Sequence, residues 1–561
     1  MSREGRLGKM EHLSTAREVA ASTVYNKKNL DQRVLGKFYT PESIANNLID
    51  QIITHFSSSQ KSEITICEPF AGDGRLVSLL LSKLSEVDLF KRLNKINIIF
   101  FEIDHEAISP LENLKHKLSN QFLGKVSIDL FNKDSLISSE IAALRGKIDI
   151  VITNPPWELL KPDAREMRNM SSDQIDSYTK FLKDYDLKLA KLLPSSQPKK
   201  KFAGWGTNLS RCGFEQSLNL LSSDGVLGII IPSSVFSDQM SEKLRTKIFS
   251  EVSLTNINFY PATSRVFKGV DQDFVSCVCL NRVSHETVNY ELSVYDKGLK
   301  RRLIESIHLE HSFLRQNEYQ IPLEHGRELV AILKKVASCT KFVDLESTND
   351  EFAIYAGREM DETGFKSKLK TEGLRFLKGR SVSRYGYSSD KAMYVSPELK
   401  SVYQSVDHFR LVWRDVARKS QVRRMHAMVI DPDILTGNSL HVIYSKSKNK
   451  RYLKALSVIF NSMVFESQVR SKLSTNHISL GVVRSCYLPI LNNEKIELLS
   501  SFYDVEFKTI EVLTEIEEMV SELYGLTSCQ LVFLAQSFFP SDEVTKSLTS
   551  GAACITRSYD D

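Results

Sequence analysis

From Ile64 to Arg282 the chain alternates short apolar runs with amphipathic stretches, and this alternation narrows its possible folds more than any other feature. The runs at 64–67, 96–101, 126–128, 148–153 and 226–231 read as strands, with 257–260 and 275–280 following. Strands covered on both faces by crossover helices are apolar throughout, and their usual home is an open, largely parallel α/β sheet. Sheets of that kind bind ligands outside the carboxyl ends of their strands, so the residues just after each run are where chemistry is expected.

The first run ends in Glu68-Pro69-Phe70-Ala71-Gly72-Asp73-Gly74, ahead of a helix-like stretch from 75 to 84. Glycines after a strand let the backbone pass close to a ligand, while Glu68 and Asp73 repel a phosphate and suit a cationic or amino-bearing group. The second run ends in Phe101-Glu102-Ile103-Asp104, where an acid is placed to grip ribose hydroxyls with paired hydrogen bonds. After the third, Asp134 is placed to accept from an adenine amino group. The fourth delivers Asn154-Pro155-Pro156-Trp157. There the Asn carboxamide and the adjacent backbone carbonyl can both accept from one planar amino group. Two prolines fix φ around them, and Trp157 offers a flat face to a heteroaromatic ring. Any one of these residues alone is more often a turn carboxylate, a turn amide or a core aromatic. Their order along four successive strand ends makes them one site.

The length of 561 residues suggests two to four domains. No secretory signal is expected, because the N-terminal stretch is polar and mixed in charge. The most apolar stretch, 226–231, is far too short to cross a bilayer. Eight scattered cysteines form no CxxC pair and no zinc-type spacing, so reduced thiols, no metal and a cytoplasmic setting are expected. The net charge of +5 says little, but its distribution says more. Between Gly364 and Arg424, 15 Lys/Arg stand against 5 Asp/Glu, interleaved with aromatics such as Phe376, Tyr385, Tyr387, Phe409 and Trp413. Basic residues mixed with aromatics fit a nucleic-acid surface; the bland alternative is a solvated basic face.

Gly36-Lys37-Phe38-Tyr39-Thr40-Pro41, Phe70-Ala71-Gly72-Asp73-Gly74, Asn154-Pro155-Pro156-Trp157 and Arg265-Val266-Phe267-Lys268-Gly269-Val270 resemble, in this order, the motifs of a known family. It is the gamma class of S-adenosylmethionine-dependent DNA amino-methyltransferases of bacterial restriction–modification systems, adenine-N6 type. The resemblance implies a Rossmann-like methyltransferase sheet with helices on both faces, followed by a mixed α+β target-recognition domain. It implies S-adenosylmethionine as cofactor and methyl transfer to N6 of a flipped adenine in duplex DNA. Phe38, Tyr39, Thr40 and Asn154 would then help hold the cofactor, with Glu68, Phe70, Gly72 and Asp73 around its methionine end. Glu102 would bind its ribose and Asp134 its adenine. Phe267 would pack on the flipped base together with Trp157. In this chain Trp157 occupies a position where Tyr or Phe is commoner, which keeps stacking but supplies no phenolic hydroxyl.

The expected organisation is a helical extension over 1–35, a catalytic domain over 36–285, a linker over 286–349, a target-recognition domain over 350–495, and a helical segment with a frayed tail over 496–561. The charged stretch 161–208 reads as a loop or helical insertion near the site. Arg380, Arg384, Arg414, Arg418, Arg423 and Arg424 are candidates for phosphate or guanine contacts. The expected partners are double-stranded DNA in the bacterial nucleoid and a separate restriction endonuclease, with no membrane. Rival readings are methyl transfer to RNA or to a protein glutamine, and a DNA-binding subunit that catalyses nothing. A fused nuclease is disfavoured, because about 35 residues are too few for another domain.

Overall fold

Ile64, Ile66, Ile96, Ile98, Ile150 and Ile152 are each at most 1% exposed, as expected of strands covered on both faces. The computed structural model describes residues 40–56, 60–163, 167–201, 204–267, 270–282, 287–361, 369–388, 393–473 and 476–551. The expected extension over 1–35, together with Phe38 and Tyr39, lies outside the described residues. The chain divides into two units, Met1–Glu324 and His325–Asp561.

In the first unit the strands are β1 (Glu63–Glu68), β2 (Lys95–Phe101), β3 (Val126–Phe131), β4 (Ile148–Thr153), β5 (Leu221–Pro232), β6 (Ser253–Tyr260), β7 (Phe274–Leu280), β8 (Thr287–Tyr295) and β9 (Arg301–Glu310). They form one sheet in the order β3-β2-β1-β4-β5-β7-β6-β8-β9. The strands from β3 to β5 run parallel, while β7 lies antiparallel to both β5 and β6. The helices are α1 (Glu42–Phe56), α2 (Arg75–Ser85), α3 (His105–Gln121), α4 (Ser172–Leu192), α5 (Leu209–Leu220) and α6 (Glu242–Glu251). α1 buries Ile44, Leu48, Ile49, Ile52, Ile53 and Phe56, a three-and-four spacing that puts one apolar stripe against the sheet. α2 does the same with Leu76, Val77, Leu80, Leu81 and Leu84.

The second unit is mixed α+β. One antiparallel sheet joins Ile354–Gly357, Leu440–Ser445, Arg410–Arg414 and Ala427–Ile430; a mixed sheet joins Leu369–Lys370, Met393–Val395, Leu374–Leu377 and Ile434–Thr436, the last two in parallel. Helices α7 (Gly326–Val336), α8 (Lys450–Phe460), α9 (Met463–Lys472), α10 (Asn493–Asp504), α11 (Ile510–Leu523), α12 (Ser528–Phe538) and α13 (Glu543–Gly551) complete it.

Three expectations need correcting. The segment 286–349 is not a linker: β8 pairs in parallel with β6, β9 closes the sheet edge, and α7 follows. Leu292, Val294, Ile307 and Leu309 are buried there, but the outward residues of β9 include Arg302, Ser306, His308 and Glu310. Charges on an edge strand block edge-to-edge association and also mask the apolar alternation. The expected frayed tail contains α13, which buries Val544 and Leu548. Cys529 is disulfide-bonded, against the expectation of reduced thiols throughout, since pairing cannot be read from scattered spacings.

α1 lies against β5 at Gly228, where a Cβ would collide with Ile52 and come within 3.2 Å of Leu48 Cγ. Both side chains are fully buried and have nowhere to retreat. Gly228→Val is therefore expected to cost about 1–3 kcal/mol by overpacking. Thermal or urea unfolding checks this, and an unchanged midpoint would contradict the packing described.

Candidate active site at the carboxyl edge of the sheet

Sheet growth runs from β1 outward through β2 to β3 and then restarts on the other side of β1 with β4. At such a reversal the loops after adjacent strands part in opposite directions and leave a crevice at the carboxyl edge. A cavity of about 140 Å3 opens there, lined from β1 by Glu68, Phe70, Gly72 and Asp73, from β2 by Glu102 and Ile103, from β3 by Asp134, and from β4 by Asn154 and Pro156.

The loop after β1 depends on Gly72 and Gly74, at φ 54° and 72°. A Cβ at Gly74 would also meet Leu114 at 2.5 Å. Only glycine takes that left-handed backbone at no steric cost. The turn sends the Gly72 N–H to Glu102 Oε2 at 2.7 Å, while the Asp104 N–H donates to Glu102 Oε1 at 2.8 Å. Glu102 is half-buried, and burial raises its pKa against these two bonds. Each of its oxygens keeps a second lone pair for a ligand hydroxyl.

Glu68 is only 2% exposed, and its Oε2 has no hydrogen-bond partner among the described residues. Burial, reinforced by the nearby charges of Asp73 and Glu102, pushes its pKa well above the ordinary 4.5 despite support from the Val77 N–H. A buried acid facing two other acids is a site prepared for positive charge. Asp134 accepts from the Leu136 N–H at 2.8 Å and from the Tyr185 hydroxyl at 2.8 Å.

Asn154 Nδ2 donates to Thr40 Oγ1 at 3.3 Å, which turns the carboxamide so that Oδ1 is its acceptor end. Thr40 lines the same cavity and is 5% exposed. Pro155 packs on α5 at Gly213, where a Cβ would strike the proline ring and lie 3.0 Å from the Phe70 ring. Trp157 is half-buried and outside the cavity lining, edge-on to Phe267 (centroids 5.1 Å, 76°) and tilted on Phe274 (5.7 Å, 40°). Phe267 is 5% exposed and closed in by both neighbours. It lies under Trp157 rather than opposite it, so the two rings do not form a slot for a base. Packing, which the motif does not encode, decides this.

The stretch 161–208 supplies α4, and Tyr185 on it reaches Asp134; nothing in the sequence marked that residue. Pro69, Ile103 and Leu209 also line the cavity without having been singled out. For Ile103 a signal existed: it directly follows Glu102, and it is apolar yet 45% exposed.

In the second unit the six arginines separate by burial. Arg423, 7% exposed, pairs with Glu466 (3.1 Å), Glu517 (3.2 Å) and Asp542 (3.4 Å). Arg424, 5% exposed, donates through its side chain to the Ala417 carbonyl and through its N–H to Glu466. Both are buried and bonded within the fold, against the expectation that they contact a ligand. Arg384 and Arg414 are half-buried; Arg380 and Arg418 are exposed. Of the interleaved aromatics, Trp413 is fully buried and donates Nε1–H to the Ile478 carbonyl, and Phe376 is 2% exposed; both are core.

Residues 76–267 match the family model described as Eco57I restriction-modification methylase. A curated relative from Vibrio sp. (strain 343), "Type II methyltransferase M.VspI", is 26% identical over 261 residues, 46% of this chain and 50% of its own. The chain thus spans about half the length of that relative. A solved structure of the type IIL restriction-modification enzyme MmeI in complex with DNA has a TM-score of 0.55 at 13% identity, covering 94% of this chain and 81% of its own. The likeness to restriction–modification methyltransferases expected from the motifs is borne out over the matched segment, and so is the expected fold class.

Because Glu68 carries more proton in the folded state than in the unfolded chain, stability should fall as pH rises above 4.5 toward its folded value. Below 4.5 both states are protonated and the effect vanishes. Glu68→Gln removes the decline, so its melting temperature should gain on that of the wild type with increasing pH. Parallel melting curves across pH would refute the assignment of this carboxyl as uncompensated.

Proposed function

We propose that the chain is a DNA methyltransferase of a restriction–modification system that uses S-adenosylmethionine to methylate N6 of an adenine flipped out of duplex DNA. The observation that carries this reading is the placement of Asn154 and Pro156 on the same cavity as Glu68, Glu102 and Asp134.

The residues present fit the cofactor. Glu68, with its uncompensated buried oxygen, and Asp73 suit the ammonium of the methionine end, where Gly72 lets the backbone come close. Glu102, with a lone pair left on each oxygen, suits the ribose hydroxyls. Asp134, steadied by Tyr185, suits the adenine amino group. When bound, S-adenosylmethionine supplies an electrophilic methyl group on a sulfonium.

The protein's part is to make a poor nucleophile competent. The exocyclic nitrogen of adenine has its lone pair delocalised into the ring. Asn154 Oδ1 and the Pro155 carbonyl, accepting its two N–H bonds, favour the pyramidal nitrogen and stabilise the positive charge that develops on it. Thr40 keeps the carboxamide the right way round, and Gly213 gives Pro155 room. Trp157 replaces stacking that the base loses on leaving the helix, a loss of a few kcal/mol, with Phe267 beneath as its support. No side chain forms a covalent bond to the substrate. Among the described residues no helix is long and apolar enough to cross a membrane, and we assign the protein to the bacterial cytoplasm at the nucleoid, beside a separate endonuclease.

Asn154→Ala should lower methyl transfer to duplex DNA by about 100-fold or more, with cofactor affinity changed only severalfold. Radiolabelled transfer and calorimetric titration measure the two. Undiminished transfer would overturn the role of Asn154, and label entering RNA or protein instead of DNA would overturn the substrate. Gly213→Ala is a subtler probe. In a helix interior Ala is favoured over Gly by about 1 kcal/mol, which offsets the clash with Pro155. Stability should barely move while turnover falls at least severalfold; turnover equal to wild type would show that the corner tolerates displacement.

A further inference from the structure

A cleft of about 750 Å3 lies in the second unit, between the turn at Arg384-Tyr385-Gly386 and the segment joining α10 to α11. Two polar atoms in it, Arg384 Nε and Tyr385 Oη, are buried and donate no hydrogen bond to another described residue. Burial raises the Tyr385 pKa, and the Arg384 guanidinium beside it opposes that rise by its charge and as a hydrogen-bond donor to the phenol oxygen, which leaves the Tyr385 O–H itself to be given away. Tyr385 is held at φ 65°, a left-handed value uncommon for a bulky residue, and its N–H is tied to the Ala427 carbonyl at 3.0 Å.

Lys508 completes the donor side. Its ammonium lies 4.5 Å over the Tyr385 ring and donates to the carbonyls of Tyr503 (3.0 Å) and Val505 (2.8 Å), leaving one N–H. Two acids share the lining. Asp504 is engaged through both oxygens by Lys454 at 2.6 Å, and Glu506 is exposed. The lining therefore offers two cations and a phenol: Arg384 gives Nη2–H to the Asn461 carbonyl at 3.3 Å and keeps Nε, Tyr385 keeps its hydroxyl, and Lys508 keeps one of its three N–H bonds.

We propose that this cleft binds a phosphate of the DNA backbone, with Arg384 Nε, Tyr385 Oη and Lys508 Nζ as donors; the inference rests on the reading of the chain as a DNA-acting enzyme. A planar guanidinium edge, a hydroxyl and an ammonium are the groups that recur at nucleic-acid phosphates. A backbone phosphate is preferred to a free ion because it is the anion that a DNA-acting enzyme meets along its whole substrate.

The test uses the full chain, fluorescent duplexes of unrelated sequence and anisotropy over a salt series. Tyr385→Phe removes one oxygen and keeps the ring; Lys508→Gln removes the charge. Each should weaken every duplex roughly tenfold, and Lys508→Gln should also lower the salt slope by about one. Melting temperature and binding of S-adenosylhomocysteine should match wild type. Because Lys508 also braces its loop, Tyr385→Phe keeps the test decisive should Lys508→Gln fold poorly. Wild-type duplex affinity in Tyr385→Phe overturns the proposal. So does heat stabilisation of the wild type by inorganic phosphate that both variants lose with duplex affinity unchanged, which would mark a free-phosphate site. A wild type that binds duplex through these residues yet transfers no methyl group to it would defeat the enzymatic reading and leave the cleft standing. An active wild type whose variants bind normally would do the reverse.

Discussion

β1 has β2 on one side and β4 on the other, and both are parallel to it. That arrangement forces the chain to cross back over the sheet after β3, and the crossing opens the only kind of gap such a sheet has at its carboxyl edge. The identities of Glu68, Glu102, Asp134 and Asn154 matter because the gap brings them together. Over some 86 residues of sequence, from Glu68 to Asn154, they are separated by helices that bury leucines and isoleucines. The core thus sets how precisely the polar rim is held, and Gly228, which lets α1 pack on β5 opposite Ile152, belongs to the same machinery as Gly213.

The rim is electrostatically one-sided. Glu68, Asp73 and Glu102 converge with Arg75 as the nearby cation, and Arg75 is tied to Asp73 at 3.5 Å. Burial, with Asp73 and Glu102 nearby, raises the pKa of the Glu68 carboxyl, and the N–H groups of Gly72 and Asp104 temper the same tendency in Glu102. A cation entering the cavity would lower the pKa of Glu68 and gain an acceptor that water no longer solvates. Binding and proton release are thereby coupled, and the fold accepts local instability where the ligand will relieve it.

The strands of the first seven elements of the sheet were legible because parallel strands buried on both faces leave continuous apolar runs: 148–153 is β4 to the residue. The strand-end acids and Asn154 were legible because each closes such a run. What stayed hidden has a common cause, namely dependence on a partner distant in sequence. Tyr185 matters only because α4 brings it to Asp134, 51 residues away. β8 and β9 are strands because β6 is there to pair with, and their polar outer face conceals it. Trp157 and Phe267 were read as a pair around a base; packing with Phe274 makes Phe267 the floor beneath Trp157.

The basic stretch of the second unit shows how a charge count misleads when burial is unknown. Arg423 sits among Glu466, Glu517 and Asp542, and the attraction of these acids outweighs the burial that would otherwise lower its pKa. Glu466 and Glu517 are fully buried; Glu466 would keep Arg470 at 2.7 Å, but removing Arg423 would take the paired cation from Glu517 in the interior, a larger loss than a surface pair represents. Such an arginine has its donors committed and none to offer a phosphate. Arg384 gives Nη2–H to the Asn461 carbonyl at 3.3 Å and, like Arg414, leaves Nε without an acceptor among the described residues, but of the six arginines it is the one that lines the cleft. An unsatisfied Nε alone does not mark a ligand-facing arginine, since Arg414 has one too; lining the cleft is what sets Arg384 apart from the arginines held in the core.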